Sequence, residues 1–186
     1  MKKPYIIGIA GGSASGKSTL SDNLEKQLNR YTVKVFHMDS YFKPANERPI
    51  AAAPVTKKMY MDDNHPETME LKQLTADLKE AMAGSYDIII IEGFLALWDE
   101  DIYPYLDLKL FVDCRADERI VRRLRRNMEW GLAFDEISEV YLDMVRYRHD
   151  EYVEPTKWKA DLIINGSSPQ EKAIDLIINY LISQLK

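Results

Sequence analysis

Cysteine is all but missing from this chain, in which Cys114 stands alone. A single thiol closes no intrachain disulfide and has no cysteine partner for a metal site, so a reducing, cytoplasmic setting is expected. Histidine is scarce as well, and His37, His65 and His149 are too scattered for a metal-site pattern. Nor is there an excess of positive charge: 25 Lys+Arg stand against 30 Asp+Glu, a net charge of −5. That balance argues against a dedicated nucleic-acid binder, whose footprint is normally basic. Long apolar runs are also lacking. Residues 88–91 and 94–98 are among the longest, far below the roughly 20 residues of a membrane helix, so no membrane partner is expected. Lys2 and Lys3 followed by apolar residues 5–10 look superficially like a secretory leader. The apolar stretch is too short for one, and a strand running into a loop explains it better.

What is present is an ordinary globular balance, with 46% hydrophobic and 30% charged residues in 186, a length that suits one domain. Short apolar runs at 5–10, 33–37, 87–91, 108–112 and 161–164 read as buried strands. Helical patterns fill 17–29, 70–83, 116–128, 135–151 and 169–184. Strands alternating with helices predict an α/β fold: a mainly parallel five-stranded sheet with helices on both faces, three layers in all. Segment 42–66, with prolines at 44, 49, 54 and 66, has little periodicity. Its length makes it a functional or mobile loop, or else a surface insertion. Arg115, Arg119, Arg122 and Arg126 fall at i, i+4, i+7 and i+11 and so share one helix face. Such a row is commonly a solvated face; here it also offers positive charge to an anionic substrate.

The sharpest signal is Gly11-Gly12-Ser13-Ala14-Ser15-Gly16-Lys17-Ser18, which matches G-x-x-x-x-G-K-[ST] between an expected strand and an expected helix. Glycines let backbone N–H groups converge on an anion, and the helix N-terminus adds partial positive charge. Lys17 is then expected at the β- and γ-phosphates, and Ser18 at Mg²⁺. Thr19 extends the nucleotide-binding set. The Asn-Lys-x-Asp element of a guanine reader is missing, and Thr156-Lys157-Trp158-Lys159 lacks the acid. Asp39 follows the second strand, at the carboxyl edge where open α/β sheets bind ligands. Glu92 closes the strand 87–91 in the position of a metal-orienting acid. A nucleotide site with two such acids favours phosphoryl transfer to a small molecule, with Asp39, Lys17 and Glu92 as catalytic candidates and Ser18 and Glu92 as Mg²⁺ candidates. Either acid could instead cap the next element. Tyr41, Phe42 and Tyr60 are candidates for stacking on an aromatic acceptor. His149 reads either as a substrate contact or, more simply, as a surface-helix histidine.

The chain resembles the uridine kinase (uridine–cytidine kinase) family, within the group that includes phosphoribulokinase and nicotinamide riboside kinase. The resemblance runs through residues 11–18, Asp39-Ser40-Tyr41-Phe42-Lys43, His65-Pro66-Glu67, and Glu92-Gly93-Phe94-Leu95-Ala96-Leu97. It continues along the arginine helix into Val153-Glu154-Pro155-Thr156-Lys157 and Ala160-Asp161-Leu162-Ile163-Ile164. It implies a P-loop kinase fold over 1–186, with 42–66 as substrate loop and 115–135 as a small helical lid. It also implies ATP with Mg²⁺ as donor, Asp39 as the base, and Tyr41, Asn64, His65, Arg122 and Arg126 on the substrate. Asn165-Gly166 would border the adenine. Three departures stand out. Asn64-His65-Pro66 replaces the family's Asp-His-Pro, so that Asn64 would grip ribose hydroxyls without charge, with Asp62 or Asp63 as substitutes. The pyrimidine-reading hairpin before Glu92 is missing. Trp130-Gly131-Leu132 stands for Arg-Gly-Arg, one residue short. The expected function is ATP-dependent phosphorylation of a hydroxyl on a nucleoside-like acceptor. Nicotinamide riboside, a sugar phosphate, or a regulatory module without transfer chemistry are the alternatives, and homo-oligomerisation is left open.

Overall fold

A computed structural model describes residues 3–185, leaving Met1, Lys2 of the leader-like stretch and Lys186 outside. Its frame is a five-stranded parallel sheet in the order β2-β5-β1-β6-β7. These strands are β1 (Tyr5–Gly11), β2 (Val33–His37), β5 (Ile88–Glu92), β6 (Leu108–Asp113) and β7 (Leu162–Asn165). Buried parallel strands carry continuous apolar runs because both faces are covered. β5 is the clearest case: Ile89 and Ile91 enter the core on one face, Ile88 and Ile90 the core on the other, all fully buried. At roughly 1.5–3 kcal/mol for each buried isoleucine side chain, this strand is a principal anchor of the sheet. Helices α1 (Lys17–Gln27) and α6 (Glu171–Gln184) pack on one face through Leu20, Leu24, Ile174, Ile177 and Leu181. Helix α2 (Leu71–Ala83) packs on the other through Leu74 and Leu78, beside the segment from Phe94 to Leu106.

The expected strands and helices are all present, with ends displaced by one or two residues. Segment 42–66 differs from the expected loop. It contains two strands, β3 (Ile50–Ala52) and β4 (Met59–Met61), paired as an antiparallel hairpin, and 3₁₀ turns at Ala45–Glu47 and Pro66–Thr68. The expected helix 135–151 also proves irregular. It begins as α4 (Phe134–Val140) and passes through π turns at Tyr141–Val145 and His149–Val153, which flank α5 (Arg146–Arg148). A 3₁₀ stretch, Glu154–Lys159, with Pro155 in its first turn, ends the run. Helix α3 (Ala116–Glu129) and the turn into α4 make up segment 115–135, the expected lid. The hairpin is tied to the long helix that follows by Thr56 and Tyr60, whose hydroxyls donate to Asp143 at 2.7 and 2.9 Å, and by a Lys58–Glu139 pair. No helix among the described residues is long and apolar enough to cross a membrane.

Candidate active site

The carboxyl ends of β1, β5 and β2 sit side by side, and each delivers a functional group. After β1 the chain turns through residues 11–16 into α1. Gly16, the residue before the helix, has φ of 101°, a conformation in which a side chain would be strained. Ala14 accepts the same left-handed region at φ 62°, a cost of order 1 kcal/mol that functional loops commonly carry. Helix α1 has neither a side-chain cap nor an acid in its first turn, so its leading amides are available to an anion. Gly12 is closely approached by two side chains. A Cβ there would lie 2.4 Å from Nη1 of Arg119 and 2.9 Å from Cε1 of His149.

Glu92 is nearly sealed from solvent, at 4% exposure, and is a meeting point. It accepts a hydrogen bond from the Ser18 hydroxyl at 3.0 Å and lies 3.7 Å from Lys17 Nζ. Its other oxygen is 3.0 Å from Nδ1 of His37, the residue opposite it in the β2–β5 register. His37 escaped notice because it is remote in sequence from Glu92. Its signal is that both residues end parallel strands.

Asp39 stands on the 3₁₀ turn Met38–Tyr41 and is exposed. It lines a cavity of about 400 Å³ together with Ser13, Lys17, Ser18, Asn64 and Arg123. Phe42, Phe94 and Ile137 form apolar parts of the same wall, and Arg48, Asp63 and Arg126 add charge. Lys17, Ser18 and Arg126 also line a second hollow of about 400 Å³ against Ala14, Gly16, Thr19 and Arg122. Gly16, Thr19 and Arg122 in turn reach a third, of about 320 Å³, bounded by Asn23, Gly166 and Gln170. Shared lining residues make these three adjoining hollows, together called the trough, with Asp39 in the first and Gly166 in the third.

The arginine row is a solvated face only in part: Arg115 is exposed and Arg122 pairs with Glu118 at 3.2 Å, but the row also turns inward. Arg119 is buried and donates to the Cys114 carbonyl at 3.0 Å, and Arg122 donates to the Gly166 carbonyl at 2.9 Å. Arg126 and its off-row neighbour Arg123 converge on the Ser13 hydroxyl at 3.3 and 3.1 Å. Burial, and then the Arg126 charge, lower the Arg123 pKa, and its buried Nε has no hydrogen-bond partner. Two guanidiniums held against one loop are an arrangement that a phosphate anion would relieve.

Other candidates fall elsewhere. Tyr41 does not line the Asp39 cavity. Its hydroxyl donates to Asp77 at 2.7 Å within a separate hollow between β2 and α2, and Phe42 faces the cavity instead. Nor does His65 line it: its Nδ1 accepts from the Glu67 amide at 3.1 Å, and its ring meets Tyr152 edge-on. Asp62 is wholly buried against Arg148, while Asp63 reaches the cavity. His149 is not a surface residue, since its side chain is only 10% exposed. Burial and the Arg119 charge push its pKa down from 6.5 to about 4. Glu154, itself half-exposed and 3.3 Å from Nε2, does not offset that burial.

The chain is similar to known proteins along nearly its whole length. The family model of the phosphoribulokinase/uridine kinase family matches residues 6–85 and 55–173. The chain belongs to this family. The uridine kinase of Lactobacillus helveticus is 32% identical over 210 residues, covering 100% of this chain and 97% of that one. That of Bacillus licheniformis is 33% identical over 204 residues, with 97% and 94% covered. Among solved structures, a candidate fructose transport system kinase from Silicibacter sp. TM1040 superposes with a TM-score of 0.64 at 18% identity, covering 88% and 90% of the two chains. The structure of TT1252 from Thermus thermophilus gives 0.59 at 20% identity over 100% of both chains. At such identities these structures speak for the fold. Of the segments quoted above for the resemblance, residues 13–14 and 16–18, Asp39, Phe42, Phe94 and arginines of α3 line these hollows. The β3–β4 hairpin precedes α2, whereas α2 and β5 are joined by a short turn with no hairpin.

Proposed function

We propose that this member of the family is an ATP-dependent kinase that moves the γ-phosphoryl group onto a hydroxyl of a nucleoside-like small molecule. The observation that carries the reading is that Asp39 and Lys17 line one cavity, while Lys17 also lines the neighbouring phosphate hollow. In this reading Asp39 acts as base and Lys17 as phosphate-holding cation at the junction of the two hollows. ATP would lie along the trough, its phosphates against the amides of residues 12–18 and its base toward Gly166.

The donor chemistry at the junction suits Mg²⁺. The Ser18 hydroxyl and the Glu92 carboxylate are hard oxygens 3.0 Å apart. No cluster of three or more His, Cys, Asp or Glu that could hold a metal exists among the described residues. That is the pattern for Mg²⁺, which keeps its waters and binds through one or two protein oxygens plus substrate phosphates. Ser18 and Glu92 would hold the ion, which would supply positive charge to offset that of the phosphate oxygens. Lys17, Arg123 and Arg126 would hold the transferring group and stabilise charge on its oxygens. Asp39 would align the acceptor hydroxyl and take its proton as the oxygen attacks phosphorus. Asn64 and Asp63 are placed on the same wall to hydrogen-bond further hydroxyls, and Phe42, Phe94 and Ile137 to pack on a ring.

The test is transfer from [γ-³²P]ATP with Mg²⁺ to a panel of nucleosides, ribosides and sugar phosphates. A labelled nucleoside-like product supports the reading. ATP binding without product across the panel overturns it and leaves a nucleotide-binding module.

A further inference from the structure

Among the described residues the most deeply buried carboxylate is not in the trough. It is Asp62, at 0% exposure against 4% for Glu92. Its Oδ2 accepts from Nε of Arg148 at 2.7 Å, and its Oδ1 faces the Asn64 amide at 3.4 Å. The main chain is fixed here too: the Asp62 amide donates to the Pro49 carbonyl at 2.8 Å, and the His65 amide to the Asp62 carbonyl at 3.2 Å. At the other end of the turn, the His65 ring stands edge-on against Tyr152 with centroids 5.3 Å apart. Arg148 lies over the Tyr152 ring, 5.7 Å from its centroid. Both outer residues of the turn, Asp62 and His65, are therefore clamped to one short stretch of the long helix that follows α3. The two inner residues, Asp63 and Asn64, line the cavity that holds Asp39.

Burying a charge is costly, and the attraction within a buried pair roughly offsets the cost. Such a pair adds geometry more than stability. We propose that Asp62 and Arg148 are a positioning pair, which sets where Asp63 and Asn64 meet the acceptor and makes the turn and the helix of Arg148 one recognition unit. The proposal rests on the kinase reading above, since it concerns the acceptor. Neither residue touches the acceptor in it. Arg148 holds Asp62, Asp62 holds the turn, and the turn presents Asn64.

Arg148→Lys tests this, because an ammonium keeps the charge but loses the fixed planar fork. The expected result is a 10- to 100-fold rise in acceptor KM, the scale of a misplacement of about 1 Å, with ATP KM and kcat at saturating acceptor within about twofold. Adding Asn64→Ala to Arg148→Lys should then cost less than it costs in the unmodified protein, as coupled residues do. Because a lone buried Asp62 could unfold the chain, the double variant Asp62→Asn/Arg148→Met removes both charges. It should regain thermal stability while acceptor KM stays high, a split that a merely structural pair would not give. An unchanged acceptor KM in folded Arg148→Lys, an equal rise in ATP KM, or full additivity with Asn64→Ala overturns the positioning role alone. An unmodified protein that binds ATP yet transfers to no acceptor overturns the kinase reading, and the pair's role with it.

Discussion

Nδ1 of His37 and Oε2 of Glu92 lie 3.0 Å apart across neighbouring parallel strands, at the last position of each. The contact occupies one carboxylate oxygen and leaves the other toward Ser18 and Lys17. His37→Ala frees that carboxylate to rotate. A fall of about tenfold in kcat with little change in acceptor KM is expected, the size of one lost orienting hydrogen bond. Steady-state kinetics at saturating Mg²⁺ checks it, and unchanged kcat would show that β5 alone holds Glu92.

Asp39 and Lys17 should separate cleanly in mutation. Lys17→Ala is expected to abolish turnover. Asp39→Asn should cut kcat by about 10²-fold or more, the range for a general base, while ATP affinity measured by calorimetry stays nearly intact. Full activity in Asp39→Asn would remove the base assignment.

Arg123 and Arg125 are close in sequence and opposite in setting. Arg123 is bonded to Ser13, whereas Arg125 is exposed. Losing a preorganised donor to a developing charge costs about 10²–10³ in kcat, and that is the expectation for Arg123→Ala. Arg125→Ala should change kcat by less than about twofold, as exposed substitutions away from a site usually do.

Much of the trough can be read in the sequence, because its densest part is local. Residues 11–18 bring strand end, loop and helix start into eight consecutive positions, and Asp39 and Glu92 are each betrayed by an adjoining strand. Contacts between distant segments are another matter. Whether Tyr41 or Phe42 faces the acceptor depends on how the 3₁₀ turn rotates them, which composition does not reveal. The β3–β4 hairpin carries Pro54 in its loop and is secured by Asp143 and Glu139, while Arg148 secures Asp62 just beyond it, all more than 75 residues away. His149 lies among charged neighbours and is buried because Gly12 leaves room for it.

His149 also gives the protein a pH dependence with a definite sign. Its pKa is about 4 in the folded chain, against 6.5 ordinarily. Between those values the unfolded chain binds a proton that the folded one does not, so stability falls as pH drops from about 6.5 toward 4. The full loss is of order 3 kcal/mol at 1.36 kcal/mol per pKa unit. Denaturant midpoints from pH 7 to 4.5 should fall for the unmodified protein and fall less for His149→Gln. Equal slopes would assign the loss to other groups.

Gly12→Ala probes the loop directly. A methyl group 2.4 Å from Arg119 Nη1 must displace a buried guanidinium or the loop itself. ATP affinity should fall by at least about tenfold, equivalent to 1.4 kcal/mol, with circular dichroism unchanged. Wild-type affinity would mean that the loop adjusts freely around Arg119.

Glu92 terminates a strand whose four preceding isoleucines are fully buried on both faces. The backbone that carries this carboxylate is therefore anchored by the sheet itself. Under the proposed reaction, adjustment to an incoming nucleotide would fall first to Asp39, which stands exposed on its short turn.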